Sequence, residues 1–193
     1  IFIKVLLIGA NNVGKSSLMR CYCDNRRAVP GYYDTTGIDF KIKEVSLQLV
    51  DQEIMVKLIV QDVVQRYSQQ PISSAYYRGV YGVLGLIDLS NDESMETLKR
   101  QIQEAKYDQL IEDVPILVVG SKADLVDRKI SYQQAQEFAA QFQAHYVEIS
   151  NITAEGVQSC FTTMIASISK SKKFLEAQQV NISKEIKQTK NCK

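Results

Sequence analysis

Tryptophan is absent from this 193-residue chain, histidine occurs once, and there are only three prolines and four cysteines. Thiols at Cys21, Cys23, Cys160 and Cys192 are too few and too scattered for a secreted disulfide framework or a zinc site, which suits reduced cysteines in a cytosol. An excess of either charge is also missing. The 23 Lys and Arg nearly balance the 22 Asp and Glu, a net of +1, so no global field recruits nucleic acid or an anionic membrane. No apolar run approaches the ~20 residues of a membrane span, and no secretory signal is visible. The lone His145 has no Cys or carboxylate at ligand spacing and reads as a surface residue. What remains is an ordinary globular composition, 45% apolar and 23% charged. The length suits one domain that buries about 70% of its unfolded surface.

Residues 2–8 (Phe-Ile-Lys-Val-Leu-Leu-Ile) form a short apolar run ended by Gly9, and runs at 80–87 and 115–120 have the same character. Three such runs predict buried strands of a parallel sheet. Between them lie amphipathic stretches. Ser90-Asn91-Asp92-Glu93 and Ser131-Tyr132-Gln133-Gln134 both match the capping-box pattern of a helix start. Val157, Cys160, Phe161, Met164, Ile165 and Ile168 recur at helical spacing and predict one buried face of a late helix. Over residues 39–61, alternation of Ile42, Val45, Leu47 and Leu49 and then of Ile54, Val56, Leu58 and Val60 about Asp51-Gln52 signals a hairpin. Strands alternating with helices imply a three-layer α/β domain.

The first strand leads directly into Gly9-Ala10-Asn11-Asn12-Val13-Gly14-Lys15-Ser16, which matches G-x-x-x-x-G-K-[ST]. Glycines at both ends let the backbone turn its N–H groups on a polyphosphate, and the helix that follows adds its own N-terminal donors. In such a turn Lys15 reaches the outer phosphates and the Ser16 hydroxyl ligates magnesium. The turn alone does not separate kinases, ATPases and GTPases.

Thr35-Thr36-Gly37-Ile38-Asp39-Phe40, Asp62, Tyr76-Tyr77-Arg78-Gly79 and Ser121-Lys122-Ala123-Asp124 together resemble the Ras superfamily, and within it the Rab branch, over about residues 1–170. That resemblance implies a P-loop NTPase fold: a three-layer α/β small-GTPase domain with a six-stranded, mostly parallel sheet and helices on both faces. It further implies GTP or GDP with Mg2+ as cofactors. Magnesium would be held by Ser16, Thr35 and Asp62, and the phosphates by Asn11, Asn12, Val13, Gly14, Lys15, Ser16 and Ser17, with Tyr32 covering the nucleotide. Lys122, Asp124, Leu125, Ser150, Asn151 and Ile152 would form the guanine site. There Asp124 accepts from N1 and the exocyclic amine, a pairing that adenine cannot offer.

The departures from the family are as informative. Where Rab proteins read Trp-Asp-Thr-Ala-Gly-Gln-Glu, this chain reads Gln61-Asp62-Val63-Val64-Gln65-Arg66-Tyr67. An ungapped alignment puts Gln65 at the glycine and Arg66 at the water-positioning glutamine; a rival alignment matches Gln65-Arg66-Tyr67 to the family's Gln-Glu-Arg-Phe but needs a compensating insertion. Arginine has only donors and cannot accept a hydrogen bond from attacking water, so slow turnover is expected, with Lys15, Gln65 and Arg66 as the catalytic-position residues. An internal arginine-finger role for Arg66 is the opposite reading. Ser121 replaces the family's Asn and is expected to lose contacts that tie the base to the phosphate turn. Asn151 would offer its backbone N–H to the guanine carbonyl, and Ile152 replaces a lysine. Of the aromatic triad that Rab proteins present to effectors, Phe40 and Tyr76 remain, but Gln61 stands in place of the tryptophan.

From Lys170 onward seven Lys face two Glu, a local +5, so residues 171–193 read as a polar tail or linker that could assist contact with anionic lipid. Asn191-Cys192-Lys193 is neither a double-cysteine nor a C-a-a-X ending, which leaves two readings: a chain cut before its native end, or a protein without standard lipidation. The resemblance thus implies a guanine-nucleotide switch in vesicle traffic. Its partners would be effector and exchange-factor proteins, with no nucleic acid, and its place the cytoplasm or the periphery of endomembranes. The alternative is an inactive pseudo-GTPase that serves as a scaffold.

Overall fold

The computed structural model describes residues 1–29, 39–49, 52–63 and 70–178. Its strands are β1 (Phe2–Gly9), β2 (Asp39–Gln48), β3 (Glu53–Asp62), β4 (Val80–Asp88), β5 (Ile116–Ser121) and β6 (His145–Glu148). The helices are α1 (Lys15–Asp24), α2 (Ser74–Tyr77), α3 (Glu93–Tyr107), α4 (Tyr132–Ala140) and α5 (Val157–Ser169). One six-stranded sheet runs β2-β3-β1-β4-β5-β6. Only the outer pair β2 and β3 is antiparallel, as the alternating pattern over 39–61 predicts; all other neighbours are parallel.

Alternation along β1 divides the interior in two. Ile3, Val5 and Leu7 point into one core, under α1 and α5, while Leu6 and Ile8 point into the other, under α3 and α4. All six apolar residues of the late-helix stripe are buried on α5, and Phe161 stacks on Tyr22 of α1 with ring centroids 3.6 Å apart. Phe174, which the sequence reading counts with the tail, belongs to this same core at 1% exposure and meets Tyr81 edge to face.

The two serine capping patterns part company. Ser131 caps α4 as expected: its Oγ accepts from the Gln134 N–H, and the Gln134 side chain accepts from the Ser131 N–H. The expectation for Ser90 is corrected. Its hydroxyl donates to Asp88 Oδ1 instead, and α3 begins after Asp92, with the Glu93 N–H accepted by Asn91 Oδ1 at 3.2 Å. The helix starts two residues further along than the pattern requires, so Ser90 does not lie at its N-cap.

Register brings the carboxyl ends of the parallel strands to one edge: Gly9 pairs with Leu86, Asp88 with Ser121, and Gly120 with Glu148. Asp62 stands beside Leu7 on the other flank of β1. Open α/β sheets gather ligand-binding residues along this edge.

Candidate nucleotide site

The turn from Gly9 to Ser16 leaves β1 at that edge. Gly9 takes φ +135°, and a Cβ on it would stand 2.4 Å from the Leu86 carbonyl oxygen, so no side chain fits there. Gly14 takes φ +101° at the N-cap of α1 with no side-chain cap, which leaves the first N–H groups of a ten-residue helix open to an anion. Asn11 and Asn12 are exposed on the outside of the turn and Val13 is buried beneath it.

Lys15 lies folded within this turn, 8% exposed, its Nζ donating to the carbonyls of Gly9 (3.1 Å) and Ala10 (2.9 Å). Burial pulls its ammonium below the usual lysine range, and the Asp62 carboxylate opposes that shift. The Ser16 hydroxyl donates to Asp62 Oδ2, and Asp62 is wholly buried at the end of β3. A hydroxyl and a buried carboxylate in direct contact, with no soft ligand beside them, form a donor set that suits magnesium. Ser17 is half-buried on the first turn of α1.

Two loops face the turn from the other side. Ser121, fully buried at the end of β5, places its Oγ 2.5 Å from the Val13 carbonyl oxygen and 2.9 Å from that of Ile87. The expected loss of the tie to the phosphate turn is therefore corrected: the end of β5 lies close enough for a hydroxyl to reach. Lys122 pairs through Nζ with Asp88, a buried carboxylate at the end of β4. Asp124 and Leu125 are exposed beyond it.

The loop after β6 holds Ser150, whose Oγ accepts from the N–H groups of Ile152 and Thr153. Asn151 is 7% exposed and its Nδ2 donates to the Gly14 carbonyl at 3.2 Å; Ile152 points outward at 40%. The Ala123 N–H donates to the Ile149 carbonyl at 3.1 Å, which joins the two loops. Behind them Glu148 accepts from Arg128 through both oxygens and from the Tyr146 hydroxyl at 2.7 Å.

Among the residues expected at the site, the structure brings Gly14, Lys15, Ser16 and Asp62 together at one end and Lys122, Ser150 and Asn151 at the other. Tyr32, Thr35, Gln65 and Arg66 lie outside the described residues. The sequence reading missed Asp88 and the Asn151 side chain. Asp88 merely ends an apolar run, and nothing local marks Asn151. On the outer wing, Phe40 is 58% exposed and pairs in register with Gln61, and Tyr76 is half-buried, so two of the three effector-facing positions still carry rings.

Residues 4–170 match the family model described as Ras family. The chain is 35% identical over 167 residues to "GTP-binding protein ypt1" of Schizosaccharomyces pombe, covering 86% of this chain and 79% of that protein. It is 30% identical over 196 residues to "Ras-related protein RabC" of Dictyostelium discoideum, covering 100% of this chain and 97% of that one. With a phosphate turn of this geometry on a sheet of this order, the chain belongs to the Ras family, as a divergent Rab-like small GTPase.

Proposed function

We propose that this protein is a switch in membrane traffic that binds GTP or GDP with magnesium and hydrolyses GTP slowly. The observation that carries the reading is the phosphate end: Lys15 drawn into the turn by the Gly9 and Ala10 carbonyls, beneath an uncapped helix N-terminus and next to the Ser16–Asp62 contact. The printed name of the S. pombe relative, a GTP-binding protein, agrees with it. Ser16 and Asp62 would hold the metal together with Thr35, and the metal would neutralise charge between the outer phosphates. Lys15 carries the matching positive charge on the protein side. Asp124 would accept two hydrogen bonds from guanine, with the Asn151 N–H donating to its carbonyl. Residues 26–40 and 62–78 would be the moving parts read by effectors and exchange factors, and the Lys-rich tail would add contact with membrane lipid.

Slow turnover follows from Gln65, whose side chain resists the backbone conformation by which a glycine brings its N–H to the terminal phosphate, and from Arg66, which cannot accept a hydrogen bond from the attacking water as a glutamine does. The test is to denature the purified protein, identify the released nucleotide, and then follow exchange after magnesium chelation and single-turnover hydrolysis of GTP. Bound GDP or GTP that exchanges on chelation supports the switch. Turnover at the unassisted rate of ordinary Rab proteins would overturn the reading of Arg66.

One observation favours the scaffold alternative. Val63, standing where the family carries threonine, is 2% exposed and sits in the core beneath α3, and its N–H donates to the Leu7 carbonyl at 3.4 Å. A buried apolar side chain resists withdrawal from the core. Nucleotide that neither exchanges nor turns over, or none at all, selects that reading.

A further inference from the structure

Consecutive carbonyls of the phosphate turn are gripped from behind by two side chains on different loops. Ser121 at the end of β5 takes the Val13 carbonyl, and Asn151 after β6 takes that of Gly14. In a trans peptide the C=O and the N–H of one unit point in opposite directions. Fixing the Val13 and Gly14 oxygens toward the base loops therefore aims the N–H groups of Gly14 and Lys15 away from them, toward the side where a phosphate would lie. The Gly14 carbonyl also accepts from the Leu18 N–H at 2.8 Å, so the unit that Asn151 holds is the one that opens α1.

Donor accounting shows why both residues are required. A serine hydroxyl has one proton, and two carbonyls, of Val13 and Ile87, lie within its reach. It cannot serve Gly14 as well. The Asn151 carboxamide supplies that donor, and it fits closely: a Cβ on Gly14 would come within 2.9 Å of Asn151 Nδ2. The side-chain amide is also deeply placed, with its Oδ1 buried and without a hydrogen-bond partner, and the main-chain carbonyl of Asn151 accepts from the Ala28 N–H at 2.8 Å.

We propose that Asn151 is a positioning residue for nucleotide retention: its side chain, acting with Ser121, fixes the phosphate turn from behind and supplies at Gly14 the donor that the single Ser121 hydroxyl cannot. This rests on the nucleotide-binding reading above and adds a role to the Asn151 side chain, distinct from that of its backbone N–H.

Release of a fluorescent GDP analogue tests it. In Asn151→Ala, release should accelerate about three- to tenfold, the range for one hydrogen bond. Putting the carboxamide at the other position, in Ser121→Asn/Asn151→Ala, should bring release back toward wild type, an outcome that a merely structural loss at 151 does not produce. Ser121→Ala alone removes one buried hydroxyl without changing the loop after β6 and should accelerate release by a comparable factor, which keeps the test open should Asn151→Ala fold poorly. Unchanged release in Asn151→Ala or in Ser121→Ala, or a double variant as fast as Asn151→Ala, overturns the assignment. Wild-type protein that takes up no guanine nucleotide removes the binding reading itself and this role with it.

Discussion

The two ends of the candidate site follow different rules. At the phosphate end the turn from Gly9 to Ser16 and Asp62 carry the family's own motif residues, and the departures begin only past Asp62, at Gln65 and Arg66. At the base end Ser121, Asn151 and Ile152 all depart, yet the loops are still tied to the phosphate turn and to each other. The contrast has a physical source. The phosphate turn works through backbone geometry, and a φ of +101° at Gly14 or a 2.4 Å approach at Gly9 admits no side chain. The base end works through side-chain donors that reach a few carbonyls, and a donor can be moved from one loop to another as long as the carbonyl is still met.

The largest effect expected from this contrast is at Lys15. Replacing it by alanine removes a buried cation from the phosphate end, and GDP affinity measured by calorimetry should fall by about 3 kcal/mol, roughly two orders of magnitude. A loss under threefold would mean that the phosphate end does not dominate binding. A smaller effect is expected at Asp124, which is exposed. Inosine diphosphate lacks the exocyclic amine, so wild-type protein should bind it about tenfold more weakly than GDP, the worth of one hydrogen bond to a charged acceptor. Asp124→Ala should bind both weakly and equally. Discrimination that survives the substitution would place the reader of the base elsewhere.

Legibility in the sequence tracks the same division. The phosphate turn could be read because its signal is local, eight residues between an apolar run and a helix, and the buried face of α5 because its period is regular. The sheet's antiparallel wing was readable from alternation about residues 51 and 52. The Asn151 tether was not, because it joins residues 137 apart and depends on how two loops meet. The Ser90 pattern misled because α3 starts only at Glu93, with Asp92 and not Ser90 at its N-cap. Phe174 was missed because a single ring in a lysine-rich stretch has no periodicity to betray that it is buried.

The smallest effect expected is at Glu148, and it asks what holds the base end in place. Burial raises the Glu148 carboxyl's pKa, but hydrogen bonds from Arg128 and Tyr146, with the guanidinium charge, outweigh it and hold the group below the usual carboxylate range. A depressed folded-state value contributes stability at pH above the ordinary glutamate value of 4.5, and that contribution is lost as pH falls through the lower folded value. Glu148→Gln should therefore cost about 0.5–1 kcal/mol in urea unfolding at pH 7, reduced from the full worth of a charged pair because both side chains keep some contact with water. In acid the gap between wild type and variant should close, because the wild-type carboxyl takes up its proton and becomes as neutral as the amide. Accelerated GDP release by Glu148→Gln at pH 7 would tie this network to the base loops that follow β6. A gap that persists unchanged into acid would trace the loss to shape and packing, and the base end would then be held by its neutral hydrogen bonds alone.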